Sequence, residues 1–348
     1  MEKALPPRED TYLLGMKREL SMPRYPHVDV VKAVGIVLVV LEHSFPLDVT
    51  KQHKKLISWG TCVVPAFFAC SGFLYSKRPT LEATGKRMLR LLIPYFCASI
   101  LNLVLYQIFS PQPLSAKACL SRLFIGGGGE GVYYYVAMLV LFTVVTPIVA
   151  FLPPWLVHVL LFVDVMLHLI YKLYFEDELG LGFVDLAYWR NPLEWFGYFL
   201  CGWVSPVLPR ASPWWVLIAL CAAAVAKGLV LEYPWGMLVW DYLVCLSLPM
   251  LLPYGVDPPL SGLVRWMSAN SYTIYLYHMF FLYGAYHLYE SRFTGAWAYS
   301  MYLSGAVLAL AGTTLIAVAA PRLLGPRLAG YTLGCMPVPP PPADTGDD

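Results

Sequence analysis

Charge is scarce in this chain. Asp, Glu, Lys and Arg make up only 13% of 348 residues, where soluble domains carry roughly a quarter, so a water-soluble globular enzyme is disfavoured. What charge there is nearly cancels. With 24 Lys+Arg against 22 Asp+Glu the formal charge is +2, and no basic stripe runs along the sequence, which removes nucleic acid as a partner. The eight cysteines contain no C-x-x-C pair, and most stand inside apolar runs where a thiol behaves as a small hydrophobe; neither a disulfide nor a metal site is assigned. No small-residue cleavage site follows the polar first 24 residues, so the first apolar run reads as a retained span, not a removable signal. There is no internal repeat.

What the chain has instead is long apolar runs. Hydrophobic residues form 58% of it and the mean hydropathy is +0.60. Runs bounded by charge, Pro and Gly suggest spans at 29–47, 56–76, 89–109, 132–151, 155–175, 193–209, 213–231, 236–253, 271–289 and 299–320. At about 20 apolar residues per crossing, ten spans account for most of the hydrophobic content. Pro94, Pro147, Pro206 and Pro249 fall near the ends of these spans, and Trp59, Trp155, Trp214, Trp235 and Trp297 fall near their interfaces. The fold class that follows is all-α: a polytopic membrane protein, a bundle of about ten transmembrane helices. Fifteen of the 24 lysines and arginines lie on the side of the N-terminus, which puts both termini in the cytoplasm. The membrane is taken as the plasma (inner) membrane. Three regions result: a polar segment at 1–24, a transmembrane domain at 25–325, and a disordered Pro/Asp-rich tail at 326–348.

Ionisable residues inside apolar spans are costly and need partners or a polar cavity. The first span, HVDVVKAVGIVLVVLEHSF, holds Asp29, Lys32, Glu42 and His43. Lys32 and His43 are eleven residues apart, about three helical turns, so they share one face. That face carries either an active lysine and imidazole, or a lysine that snorkels to the headgroups and a histidine that ends the helix. In GKRMLRLLIPY, Arg87 and Arg90 stand three apart and can clamp a phosphate with two guanidinium forks; they also serve as a positive-inside signal. Asp164 and His168, at i and i+4 in the fifth span, suit a proton relay or a pair that satisfies itself. His278 in the ninth span either lines the same cavity as His43 or bonds a neighbouring helix. The run Gly126 to Gly129 follows no strand and precedes no Gly-Lys-Ser/Thr, so it reads as a hinge or loop, not a phosphate cradle.

The stretches RYPHVDVVKAVGIVLVVLEHS, VVPAFFACSGFLYSKR and GKRMLRLLIPY together resemble the acyltransferase 3 family of integral membrane O-acyltransferases. Three motifs agree in order and spacing: a basic residue followed by ten residues and His (Lys32, His43), the run Phe67, Phe68, Ser71, Gly72, Phe73, and the pair Arg87, Arg90. SANSYTIYLYHMFF is similar to the family's penultimate span, and Asp29, Lys32 and Gly35 make the chain similar to the compact branch that includes fucose 4-O-acetylase-like proteins. The resemblance implies about ten helices and transfer of a short acyl group, acetyl first, from acyl-CoA to a hydroxyl of a sugar or other membrane-associated acceptor, with no metal. It implies that His43 is the catalytic histidine, as a base or as carrier of the acyl group, that Lys32 assists it, and that Arg87 and Arg90 serve coenzyme A. Glu42, Ser71, His278, Asp164 and His168 complete the expected substrate cavity. Buried polar groups on several spans also admit a transporter of a small solute or acylated metabolite on the same scaffold.

Overall fold

The computed structural model describes residues 25–44, 62–77, 79–109, 114–124, 133–174, 192–207, 241–245, 261–289 and 296–336. Among them the regular structure is wholly helical, as hydrocarbon requires: lipid offers no partner to a backbone N–H or C=O, and a helix pairs both internally. Ten α-helices follow in order: α1 Pro26–Ser44, α2 Val63–Ser76, α3 Leu81–Phe109, α4 Ala116–Phe124, α5 Tyr134–Phe151, α6 Pro154–Tyr174, α7 Pro192–Val204, α8 Ser261–Tyr289, α9 Ala296–Leu324 and α10 Pro326–Leu333. A further helical segment occupies 241–245. Helices α1, α6, α7 and α10 each start on a proline, whose missing N–H would have had no partner there. By length and composition, α3, α5 and α9 can cross a membrane over Leu81–Ile108, Tyr134–Phe151 and Ser300–Leu324.

Eight of the expected spans have a helix in the structure. The expected span 213–231, the glycine run at 126–129 and the segment 1–24 lie outside the described residues, and of 236–253 only 241–245 is described. Helices overrun their apolar stretches where local chemistry supports them. α3 starts eight residues ahead of the expected position 89 because Thr80 caps it, its Oγ1 accepting from the Ala83 N–H at 3.2 Å, and Glu82 and Lys86 pair at 2.7 Å across one turn. Pro94 therefore sits in the middle of α3, not near its end. Such a proline removes a donor from the turn before it. In that turn the Leu91 carbonyl accepts the Tyr272 hydroxyl at 2.7 Å.

Two short helices were not expected. α4 lies between the third and fourth expected spans, with Leu120 and Phe124 exposed on it, the pattern of a helix resting in the interface. α10 falls in the region assigned to a disordered tail. It packs on α9 and α3 and ends at Gly334 with φ 76°, and the Met336 N–H donates to Asn270 Oδ1 at 3.2 Å. Described structure thus continues to Met336, eleven residues past the expected boundary at 325.

α1 packs against α8, α9 and α2, with Val34 and Leu38 on its exposed face; α2 lies along α7, α7 along α6, and α5 covers α2 and α3. The surface is inverted relative to a protein in water. Ile108, Ile148, Phe151, Val307 and Leu315 are 62–87% exposed, whereas Asn102, Thr143, Asp164, Glu194, Asn270 and His278 are buried. Lipid is the solvent that such a distribution fits.

Small residues set the closest helix contact. A Cβ on Gly72 of α2 would overlap the Phe199 carbonyl of α7, and one on Gly202 of α7 would overlap the Ala69 carbonyl of α2. Each backbone fills the space left by the other helix's missing side chain. Gly202→Ala is expected to force the pair apart and destabilise the protein by about 1–3 kcal/mol, the usual cost of overpacking. Thermal unfolding in detergent checks this; an unchanged midpoint would show that the contact is looser than described.

Candidate active site

Lys32, Ile36, Val39 and His43 recur on α1 at the spacing of one helical face. The first three line a cavity of about 160 Å³ enclosed by α1, α2, α3, α5 and α8. Most of its wall is apolar. Its polar groups are Lys32, Ser71, Tyr135, Ser271, Tyr272 and Tyr275. Ser71 donates from Oγ to the Phe67 carbonyl at 2.9 Å and lies 3.5 Å from the Tyr135 hydroxyl, so it stands in the wall, tied to its own helix.

His43 continues the same face one turn beyond Val39. Its Nδ1 is 2.8 Å from the Val39 carbonyl. A carbonyl only accepts, so Nδ1 carries the proton of this hydrogen bond. Beside it, from α8, lies His278, with ring centroids 5.3 Å apart. His278 is fully buried and, like His43, does not line the cavity; its Nδ1 donates to the Tyr275 carbonyl 2.7 Å away, on its own helix and not a neighbouring one. Glu42 is half-buried. It stands about 100° round the helix from His43 and does not line the cavity.

The two arginines take different postures. Arg87 is half-buried: its Cζ lies 4.2 Å from the centre of the Tyr75 ring, and Nη2 donates to the Leu74 carbonyl at 3.4 Å. Tyr75 is itself held by a hydrogen bond from Thr143 Oγ1 at 3.2 Å. Arg90 is exposed. Neither guanidinium enters the cavity, but Leu74 and Leu91, the one beside Tyr75 and the other beside Arg90 in sequence, line it. The platform under Arg87 escaped the sequence reading. A tyrosine two residues ahead of Lys77, at the end of the Ser-Gly-Phe run, was its only signal.

Asp164 and His168 do not join this cavity. They belong to a separate buried cluster between α6, α7 and the segment 241–245. His168 Nε2 is 2.6 Å from Glu194 Oε2, each side chain being 2% exposed. The Tyr242 hydroxyl lies 3.4 Å from His168 Nδ1 and donates to Asp164 Oδ2, also at 3.4 Å. A Cβ on Gly197 would strike both Tyr242 and Asp164, so glycine opens the space in which they meet. The expected i, i+4 pair is thus linked through a hydroxyl from another helix, and the principal partner of His168 is Glu194. An acidic residue within the apolar helix NPLEWFGYFLCGW was the available signal. Among the described residues no three His, Cys, Asp or Glu side chains gather as a metal site.

A family model described as an acyltransferase domain, Acyl_transf_3, matches residues 25–321. No curated protein and no solved structure gives a significant match.

The buried contact of His168 with Glu194 makes a direct prediction. Removing one partner leaves a buried polar group unsatisfied, so Glu194→Ala should cost roughly 2–3 kcal/mol. Tyr242→Phe loses only long hydrogen bonds and should cost about 1 kcal/mol. Unfolding of the two variants in detergent measures the difference; equal losses would mean that the pair is not the main tie between α6 and α7.

Proposed function

Because the chain belongs to the Acyl_transf_3 family and is an integral membrane acyltransferase, we propose that it moves a short acyl group, acetyl first, from acyl-CoA to a hydroxyl of a sugar or other membrane-associated acceptor. The sugar follows from the likeness to the compact, fucose 4-O-acetylase-like branch. The observation that carries the reading is the cavity lined on α1 by Lys32, Ile36 and Val39, with Leu74 and Leu91 at the arginine edge and His43 one turn beyond Val39, outside the lining. At about 160 Å³ it is smaller than the roughly 300 Å³ of compact drug-sized pockets. It suits the acyl end of a thioester, with the nucleotide left outside near Arg87 and Arg90. Those two face the phosphates of coenzyme A, supplied from the cytoplasm, where both termini of the chain also lie. Arg87, braced on Tyr75, loses little further freedom on binding.

In this reading the acceptor hydroxyl gives its proton to Nε2 of His43, and its oxygen bonds to the thioester carbonyl carbon. The tetrahedral intermediate then expels the coenzyme A sulfur, which leaves with the proton held by His43. Lys32 supplies positive charge within the cavity where the carbonyl oxygen becomes negative. The Nδ1 bond to Val39 holds the ring in one tautomer and suits a base and an acyl-imidazole alike; the base role is the one proposed.

Two variants test the assignment on protein purified in detergent with acetyl-CoA. His43→Ala should lower turnover by roughly 100-fold or more, the usual weight of a general base. Combined Arg87→Ala and Arg90→Ala should raise the KM for acetyl-CoA by roughly tenfold or more with a smaller change in kcat, since charge-assisted contacts to phosphate are lost. Normal turnover in the first would remove His43 from the reaction. Solute flux through proteoliposomes without release of coenzyme A would favour a transporter.

A further inference from the structure

Lys32 is the cation in the cavity wall, and its ammonium rides on a flexible four-carbon stem. A charge that is to meet a developing oxyanion has to be held in place. Asp29 stands three residues before it on α1, the spacing at which opposite charges on a helix meet. Cys70, also in the wall, lies within electrostatic reach of both, which gathers the two charges around one wall residue. Asp29 is in turn gripped from α8. The Ser268 hydroxyl donates to Asp29 Oδ1 at 2.6 Å, the length of a bond to a charged carboxylate, across 239 residues of sequence. Ser268 is 1% exposed, and its carbonyl accepts the hydroxyl of Ser271, itself a wall residue, at 2.8 Å. A carboxylate in the first turn of a helix is already favoured by the helix dipole, so α1 alone does not call for a hydroxyl from another helix.

We propose that Ser268 and Asp29 are positioning residues for Lys32. Ser268 fixes the Asp29 carboxylate, and the carboxylate holds the Lys32 ammonium at the cavity wall, where the thioester carbonyl takes up negative charge. The proposal rests on the acyl-transfer reading for what Lys32 does. Neither Ser268 nor Asp29 touches donor or acceptor, and both act through the lysine alone. The placement of α8 against α1 thereby sets where the positive charge stands.

A double-mutant cycle separates this from a mere tie between two helices. Full-length protein in detergent is assayed with acetyl-CoA. Ser268→Ala should lower kcat roughly tenfold, the weight of a hydrogen bond to a charged group, and change KM by less than about twofold. In Lys32→Met, which keeps the stem without the charge, the same substitution should change kcat by less than about twofold, because residues that act as one unit are not additive. Asp29→Asn should behave as Ser268→Ala does in both backgrounds, and Ser268→Thr, which keeps the donor, should recover most of the loss. Equal losses in the two backgrounds would show that Ser268 only joins α1 to α8, and would overturn the proposal.

A second measurement needs no turnover. Without acetyl-CoA, the protein is treated with ethyl acetimidate, and amidination of Lys32 is counted by mass spectrometry against that of the exposed Lys86, which corrects for unfolding. An ammonium released from Asp29 is less shielded, so Ser268→Ala and Asp29→Asn should each speed modification of Lys32 severalfold relative to Lys86. That result together with normal turnover in Lys32→Met upholds the positioning, and the failure then belongs to the acyl-transfer reading. An unchanged labelling ratio in both variants sinks the positioning itself.

Discussion

The structure is organised by the cost of placing α1 in a bilayer. This helix carries Asp29, Lys32, Glu42 and His43 on an otherwise apolar sequence, and lipid tails can solvate none of them. The remedy is enclosure. α8 supplies Ser268, whose hydroxyl donates to Asp29 at 2.6 Å, and His278 beside His43; α2, on the opposite side, supplies Phe67, Cys70 and Ser71, which face the cavity with Lys32. The cavity is thus the space that remains where α2 and α8 close on the polar face of α1 that carries Lys32.

Enclosure of this kind needs rigid walls, and two unlike devices provide them. Between α2 and α7 the device is absence of side chain, with Gly72 and Gly202 letting each backbone press on the other. Between α6 and α7 it is a polar contact sealed from lipid, His168 with Glu194 at 2.6 Å. Together they fix α7 from both sides, and α7 in turn fixes the α2 wall of the cavity. The second polar cluster is thereby tied to the site mechanically although it shares no residue with it.

Much of this was legible in the sequence, for reasons that differ from residue to residue. Apolar length reveals a span because the bilayer imposes a thickness, and eleven-residue spacing reveals a shared face because helical geometry is fixed, so the stripe from Lys32 to His43 could be read directly. Contacts between distant helices left only partial traces. Glu194 announced that it needed a partner without naming His168, and nothing in spacing could show that Tyr75 would lie under Arg87. Helix ends were least legible, since the start of α3 depends on Thr80 and a surface ion pair, and that of α10 on a proline following a glycine, none of which changes local hydropathy.

The two histidines lie on α1 and α8, near opposite ends of the polypeptide. During synthesis the first of these helices enters the membrane long before the other exists, so Asp29 and His43 spend that interval beside lipid or borrowed groups. Shelter for the polar groups of α1 therefore waits until α8 has emerged, and a prematurely terminated product exposes an unsheltered polar helix, the kind of surface by which membrane quality control distinguishes incomplete proteins from finished ones.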